Sequence, residues 1–407
     1  MTDWPVKTLG EVCDFVRGVT YDKADARSEI ENGFIPLLRA TNITENGILH
    51  EGYVFIPNNY VRADQKLQSG DALITIASGS ASVVGRSVLV EDPGEMTFGA
   101  FCGVLRPSPE ILPRYLSHFM SSRTVRTAWS EAAQGTNINN LKREDILQTE
   151  CLLPPLDEQK RIVALLDEAT ARITELTACY EQARTHANNL FTSVLREALE
   201  SNPDWPVKTL SDLLDVSIGG IWGSEAGNED IDVFVYRSTE LIKDGHLKEE
   251  LTVRRSITAT QLESRKLEEG DLLLEKSGGG PKTPVGRVGL VKVLTGLSVC
   301  SNFMQLMRPR KSEVLPVYLH YFLNYFHIAG YTEDLQNNST NIRNLKMTEY
   351  MQVQIPVPPL EEQKRIVSRM DQMREKTSEM VAAYDAKLQA AKNLRQSILE
   401  AAFAGEL

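Results

Sequence analysis

Ser277-Gly278-Gly279-Gly280-Pro281-Lys282-Thr283 is the stretch that most resembles a phosphate cradle, a glycine-rich turn closed by Lys and Thr. A phosphate-binding loop needs glycine at both ends of the turn, the second directly before the lysine, so that backbone N–H groups can wrap the phosphates. Lys276 and Pro281 stand at those two places, which removes an ATP site. Asn202-Pro203-Asp204-Trp205 approaches the Asn/Asp-Pro-Pro-aromatic signature of amino-methyltransferases, but the second proline is missing, and it reads as a linker after a helix end. Asp271, Glu275 and Lys276 suggest a nuclease carboxylate cluster, yet Ser277 follows Lys276 and the Glu-x-Lys spacing is absent. The six histidines (His50, His118, His186, His246, His320, His327) show no metal-ligand spacing. Cys13, Cys102, Cys151, Cys179 and Cys300 form no CxxC pair, and all five read as small buried hydrophobes. No GxGxxG joins a strand to a helix. The expectation is a chain without nucleophile, acid–base pair, metal or cofactor of its own.

What remains is recognition chemistry: hydroxyls, amides, guanidiniums and ammoniums in turns. The 407 residues suffice for two or more domains, and 42% hydrophobic with 24% charged residues is a globular composition. No apolar run approaches a membrane span, and the start MTDWPVKTLGEV lacks the basic and apolar regions of a signal peptide, so a cytoplasmic location is expected. A net charge of −11 runs against a nucleic-acid partner. Duplex binding, however, needs only a local basic surface. The acidity therefore points to a second, more basic chain that shares the backbone grip.

The elements that must position such residues are repeated. Trp4-Pro5-Val6-Lys7-Thr8-Leu9 recurs as Trp205-Pro206-Val207-Lys208-Thr209-Leu210. GDALITIASGSA from Gly70 is answered by GDLLLEKSGGGP from Gly270, and Val84-Gly85-Arg86 by Val285-Gly286-Arg287. GTNINNLK from Gly135 matches STNIRNLK from Ser339, and PPLDEQKRIV from Pro154 matches PPLEEQKRIV from Pro358. Ordered matches at one spacing mark a duplicated unit of roughly 200 residues. Each unit opens with short β-like runs such as Ala72–Ala77 and Asp271–Leu274 between Gly, Pro, Asn and Ser turns. A Pro-Pro pair then stops the extended chain, and a long helix with Asp or Glu in its first turn follows. Along the first helix Ile162, Leu166, Ala169, Ile173, Leu176, Tyr180, Ala183, Ala187, Leu190 and Val194 are spaced alternately four and three apart. The second gives Ile366, Met370, Met373, Thr377, Met380, Tyr384, Lys387, Ala391, Leu394 and Ile398, with Thr377 and Lys387 as weak positions. That is a coiled-coil repeat, so the helices are expected to pair with each other rather than each only with its own globule. They should stop near Asn202-Pro203 and before Gly405, a C-cap. At about 1.5 Å per residue each is a rod of roughly 65 Å.

If the rods run antiparallel, a pseudo-two-fold molecule results, with a globule at each end; duplex DNA has matching local symmetry, and a rigid spacer would fix the distance between half-sites. Base edges are read by Arg, Lys, Asn, Gln, Ser and Thr on loops that reach the major groove. In the first unit the candidates are Tyr21 and Lys23; Arg39, Thr41 and Asn42; and Ser78, Gly79 and Ser80 with Arg86. In the second they are Arg237, Ser238 and Thr239; Lys276, Ser277, Lys282 and Thr283; and Arg287. Taken singly, these residues also suit ordinary hairpin turns with solvated tips; it is as sets that they point to DNA. The block with Asn137, Asn139, Asn140 and Lys142 is shared with Asn341, Asn344 and Lys346, so it cannot distinguish two targets and suits a turn or a phosphate contact.

Two variable domains, each followed by PPL(D/E)EQKRIV and a long helix, resemble the specificity subunit (HsdS) of Type I restriction-modification systems, as do SGSASVVGRS, GTNINNLK and the ending QSILEAAFAGEL. The resemblance covers essentially the whole chain. It implies an α+β fold: two mixed α/β target-recognition globules, 1–152 and 204–355, separated by two long helices, 153–203 and 356–407, that form an antiparallel coiled coil. It also implies that the chain reads double-stranded DNA as an asymmetric bipartite target, and is not itself an enzyme. Two modification subunits, bringing S-adenosylmethionine for adenine methylation, would dock on the helices; restriction subunits, with ATP and Mg, would join where present. Other readings are a protein-binding scaffold, a stand-alone modification enzyme, and a DNA reader in a related defence system with a different effector.

Overall fold

The computed structural model describes residues 4–44, 47–133, 139–200, 202–242, 245–248, 250–279, 284–339 and 342–407. The chain divides into two compact units, Met1–Glu181 with Asp385–Leu407, and Gln182–Tyr384. Each therefore contains one globule, the start of the helix that follows it, and the end of the other long helix.

In the first unit an antiparallel four-stranded sheet runs in the order Cys13–Arg17, Cys102–Pro107, Ala72–Thr75, Ser87–Leu89. A second sheet holds Thr97–Phe98, Phe34–Leu38 and Val54–Pro57. Val6–Thr8, the WPVKTL segment, pairs antiparallel with Glu150–Leu152 just before the long helix. The second unit repeats this frame. Its sheets run Leu214–Gly219, Met304–Pro309, Leu272–Glu275, Val288–Leu290, and Ser224–Glu225, Arg254–Ile257, Ile231–Tyr236, Ser298–Cys300. Val207–Thr209 pairs with Gln354–Pro356. The runs expected to be strands are fully buried on both sides, as Ala72–Thr75 and Leu272–Glu275.

The same close approach recurs in both units. A Cβ on Gly18 would lie 2.1 Å from the Gly99 carbonyl oxygen, and one on Gly220 would lie 2.2 Å from that of Ser301. Only glycine lets the end of the edge strand cross the neighbouring sheet at that distance.

The long helices span Leu156–Glu200 and Leu360–Phe403. Gly405 takes a φ of 75°, the left-handed cap expected from the sequence. The PPL(D/E)EQ block acts as a latch. Gln159 is fully buried; its Oε1 accepts from the Leu112 N–H (2.8 Å), and its Nε2 donates to the carbonyls of Glu110 and Pro154 (both 2.9 Å). Gln363 repeats all three bonds with Leu315 (2.7 Å), Glu313 (2.9 Å) and Pro358 (2.8 Å). Buried tyrosines close the same joint: Tyr115 Oη donates to the Leu152 carbonyl and Tyr318 Oη to that of Pro356, both at 2.8 Å. The invariance between the two copies is thus structural, since each glutamine fixes the angle at which the helix leaves its globule.

Within each unit the helix segments run antiparallel. In the first, Arg161 donates to the Leu407 carbonyl (2.7 Å), and Lys387 lies 5.4 Å from the centre of the Tyr180 ring. In the second, Arg369 pairs with Glu197 (3.6 Å), and the Arg374 guanidinium lies 5.1 Å from the centre of the Phe191 ring. The two weak seam positions are accommodated differently. Thr377 is buried with its hydroxyl bonded to the Met373 and Arg374 carbonyls, whereas Lys387 is exposed and reaches over an aromatic face.

The seam is not continuously buried. Ile162, Leu166, Ile366 and Met370 are core residues, but Leu176, Leu190, Met380 and Leu394 are exposed. Helix ends do more than the heptad repeat predicted. Leu399 and Ala402 sit in the core of the first unit, and Leu195, Ala198 and Leu199 in that of the second. A buried leucine contributes about 2 kcal/mol, so each globule is completed by the end of the helix that follows the other. Cys13, Cys102, Cys151 and Cys300 are buried, which pushes their thiols up to about 12. Cys179 corrects the expectation for all five: it faces outward from the helix and is exposed. Among the described residues no helix is long and apolar enough to cross a membrane.

Candidate nucleic-acid interface

The two buried strands Ala72–Thr75 and Leu272–Glu275 each feed a turn that returns to the sheet through Val-Gly-Arg. The neck of that turn is closed by the same pair of bonds in both units. Gly85 N–H donates to the Thr75 carbonyl and Thr75 N–H to that of Arg86, both at 2.8 Å; Gly286 and Glu275, Glu275 and Arg287 repeat this at 2.9 Å. Gly85 and Gly286 have φ of 73° and 115°, a region open mainly to glycine, and Gly85 lies against Trp129. Below the turn, the Phe101 carbonyl accepts from the N–H groups of Ile76 and Ala77 (2.9 and 3.2 Å), and the Phe303 carbonyl from those of Lys276 and Ser277 (3.0 and 3.2 Å).

The arginine of this motif brings two of the candidate segments together. Arg86 Nη1 reaches the Ile43 carbonyl (3.4 Å), joining the 78–86 turn to the short helical turn Ala40–Asn42. Arg287 does the same more firmly, donating to the carbonyls of Leu241 (3.1 Å) and Ser238 (3.2 Å). It also grips Glu275 through two nitrogens at 2.7 and 2.8 Å. These hydrogen bonds hold the Arg287 guanidinium above its ordinary pKa despite its partial burial. Thr75 occupies the position of Glu275 in the first unit, and its buried hydroxyl has no hydrogen-bond partner. Among the described residues no carboxylate pairs with Arg86.

The candidate residues sort into those committed within the protein and those facing out. Asn42 is 2% exposed; its oxygen accepts from the Arg39 N–H (3.0 Å) and its amide donates to the carbonyls of Leu49 and Glu51. It braces its loop, as Glu240 does for Arg237 at the matching place (2.7 Å). Burial works to raise the Glu240 pKa, but the bonds from Arg237 and Thr239 bring it below the ordinary value. Arg39 is exposed, with Nη2 on the Gly52 carbonyl (2.9 Å). Thr41, Gly79, Ser80 and Thr239 are exposed, and Ser78, Ser238, Lys276 and Ser277 half-buried. Lys23 is exposed in a helical turn capped by Asp22, whereas Tyr21 packs in a separate apolar cluster with Val19 and Ile35. Lys282 and Thr283 lie outside the described residues, as do Asn137 and Asn341.

The shared Asn block holds the turns in place. Asn139–Asn140 pairs with Ala77–Ser78, and Ser277 Oγ donates to Asn344 Oδ1 (2.5 Å). Sequence reasoning missed Phe101 and Phe303. They hold matching positions, are 59% and 47% exposed, and adjoin the turns whose N–H groups their carbonyls anchor. The signal lay in the repeat, as an apolar residue kept at a turn on both sides.

Each unit thus presents a polar, glycine-containing turn with an exposed phenylalanine and a tethered loop, mounted on a buried sheet. The arrangement offers hydrogen bonding and stacking.

The family model described as the Type I restriction modification DNA specificity domain matches residues 1–183 and again 202–390. The chain is 29% identical over 416 residues to the type I restriction enzyme EcoKI specificity subunit of Escherichia coli K12, covering 99% of this chain and 89% of that protein. It is 30% identical over 420 residues to the StySPI specificity subunit of Salmonella potsdam, with the same coverages. Its fold matches a chain solved in a study of assembly and conformational transition of the type I restriction-modification system (TM-score 0.76, 22% identity, 99% and 98% of the two chains). It also matches the HsdS subunit from Thermoanaerobacter tengcongensis (TM-score 0.54, 21% identity, 99% and 97%). The chain belongs to the family of Type I restriction-modification specificity subunits and carries two copies of its DNA specificity domain.

Proposed function

We propose that each unit reads one half of an asymmetric, interrupted target on double-stranded DNA, and that the chain directs the chemistry of other subunits in the cytoplasm. The observation that carries this reading is one frame with two different loop sets. The neck bonds, the carbonyl of the exposed phenylalanine and the glutamine latch coincide, while the residues carried by the turns differ. In the first unit Arg39, Thr41, Ser78, Ser80 and Arg86, with Phe101, face the base edges; in the second Thr239, Lys276 and Ser277, with Phe303, do so. Arg237 and Arg287 hold the second loop set rather than read with it, because Glu240 and Glu275 already occupy their guanidiniums.

Two modification subunits dock on the long helices and supply S-adenosylmethionine, and restriction subunits, where present, supply ATP-driven cleavage; this chain holds no cofactor. The exposed seam residues Leu176, Leu190, Met380 and Leu394 support docking on the helices. Methylome sequencing of cells with and without the chain, in the presence of its modification subunit, tests the reading. A new interrupted motif with methyladenine in both halves is expected. An unchanged methylome with an active modification subunit would move the assignment to a scaffold or another effector.

A further inference from the structure

The first unit contains a cavity of about 410 Å3 lined by Arg86, Arg123, Arg126, Lys392 and Arg395, and by no carboxylate among the described residues. Three elements bring these cations together: the neck of the 78–86 turn, the helix Arg123–Ala132, and the end of the second long helix. Gathering like charges on a folded surface is unfavourable unless an anion joins them, since like charges repel even in water. Two carboxylates of the long helices have partners outside the cavity lining. Glu400 accepts from Thr124, and Asp167 accepts from Arg114 and His118. Arg395 Nε and Gln396 Oε1 are buried without a hydrogen-bond partner.

The second unit has no such cluster at the matched positions. Asn188 and Phe191 stand on its helix, Phe326 and Ala329 on the globule, and Arg287 is neutralised by Glu275. Phe191 packs near Tyr321 and Phe326 near Tyr331, with ring centres 6.0 and 5.2 Å apart. At the matched positions the difference is a change of chemistry, from cations to aromatic rings at two of them, and Phe191, together with the neighbouring Tyr321, already faces the guanidinium of Arg374.

We infer that the cavity is a phosphate clamp peculiar to the first unit: it holds the DNA backbone beside the half-site read by the 78–86 turn. The inference rests on the DNA-reading assignment above. Arg86 belongs both to the neck of that turn and to the cavity wall, so a strand laid on the turn carries its backbone over the cavity. Guanidinium forks match phosphate oxygens, and Arg395, which lines the cavity, has a buried Nε that no protein acceptor satisfies. The first half-site is then held in large part by salt-sensitive contacts, and the second by contacts that depend less on salt.

The test uses the full chain in the complex it forms in its own cells, with duplexes carrying its methylated motif in unmodified form. Affinity is measured between about 50 and 200 mM salt, where each phosphate contact contributes about 0.9 to the slope of log affinity against log salt. The combined variant Arg123→Gln, Lys392→Gln, Arg395→Gln removes three such contacts and should lower that slope by about 2.7 and weaken binding equally across sequences. Its thermal midpoint should be unchanged or raised, because like charges are removed. Arg172→Gln, a surface cation paired with Glu168 outside the cavity, should leave the slope as it was.

A variant with the wild-type slope and intact specificity overturns the clamp and leaves the DNA-reading assignment standing. A changed base preference, or loss of a partner subunit at constant slope, overturns it too, by assigning the cavity to base reading or to an acidic protein segment. Wild-type complex that shows no sequence preference removes the underlying assignment and the clamp with it.

Discussion

Arg86 and Arg287 occupy matching places, each at the neck of a turn mounted on the corresponding sheet of its own unit, and each ties that turn to a neighbouring loop. Glu275 makes the second an internal strut, whereas Thr75 stands in its place in the first, and no carboxylate among the described residues pairs with Arg86. One substitution at the end of a buried strand therefore separates a charge spent on stability from a charge left for a partner. The shared residues hold the frame, and the differing ones decide what each unit presents. Around that pair the contrast widens, into a cationic cavity on one side and packed aromatic rings on the other.

The frame should fail alike in both units. Gln159→Ala and Gln363→Ala each remove three buried hydrogen bonds and strand their partners, which costs roughly 3 kcal/mol. Hydrogen exchange should show the same loss of protection at the start of each long helix. A large loss in one unit alone would break the equivalence of the two latches.

The arginines should diverge. Arg287→Ala leaves Glu275 buried and uncompensated; since about a third of the arginine side chain is exposed, the loss is roughly 2 kcal/mol, below the 3–5 kcal/mol typical of buried pairs. Arg86→Ala should cost less than about 1 kcal/mol of stability, having only a long, weak hydrogen bond to a backbone carbonyl to lose, yet should weaken DNA retention. Urea unfolding and DNA binding of the two variants measure this contrast, and equal losses of stability would erase it.

Acid should sharpen the comparison further. Burial pushes His320 down to about 4, against the opposing effect of its bond to the Gly245 carbonyl, with Arg374, His246 and Lys292 also disfavouring its charge. The unfolded chain takes up this proton near pH 6.5, while the folded one resists until about 4, so stability present above that window is lost as pH falls through it. The second unit should lose on the order of 2 kcal/mol between about pH 7 and pH 5. In the first unit His118 is also lowered by burial, but Asp167 opposes the shift, so the loss there should be smaller. Hydrogen exchange at the two pH values, read unit by unit, gives the order; a greater loss in the first unit would contradict it. The smallest effect is expected at the helix surface, where Glu158→Gln and Glu362→Gln each remove a solvent-screened ion pair and should leave stability nearly unchanged.

Much of the frame was legible because duplication prints it twice. The matched WPVKTL, VGR and PPL(D/E)EQKRIV blocks prove to be the strand that closes the globule, the neck of the turn and the latch. The heptad seam gave the helices and their pairing but overstated their continuity. A period cannot tell whether a leucine faces another helix, a globule or solvent, and Leu190 and Leu195 lie on different sides of that question. The candidate loops were found by residue type, but type alone could not separate Asn42, whose every polar atom serves its own loop, from the exposed Thr41 beside it. Nor could it show that Glu275 neutralises Arg287, although the contrast with Thr75 was visible once the halves were aligned. The cationic cavity was illegible because its members come from segments far apart in sequence.

The central claim is that one frame carries two independent readers. It is tested most directly by exchanging residues 1–152 for those of a relative with a different known motif and sequencing the methylome. The account predicts a motif in which one half changes to the relative's and the other half and the spacing stay as they were. A change in both halves, or in neither with methylation retained, would contradict it.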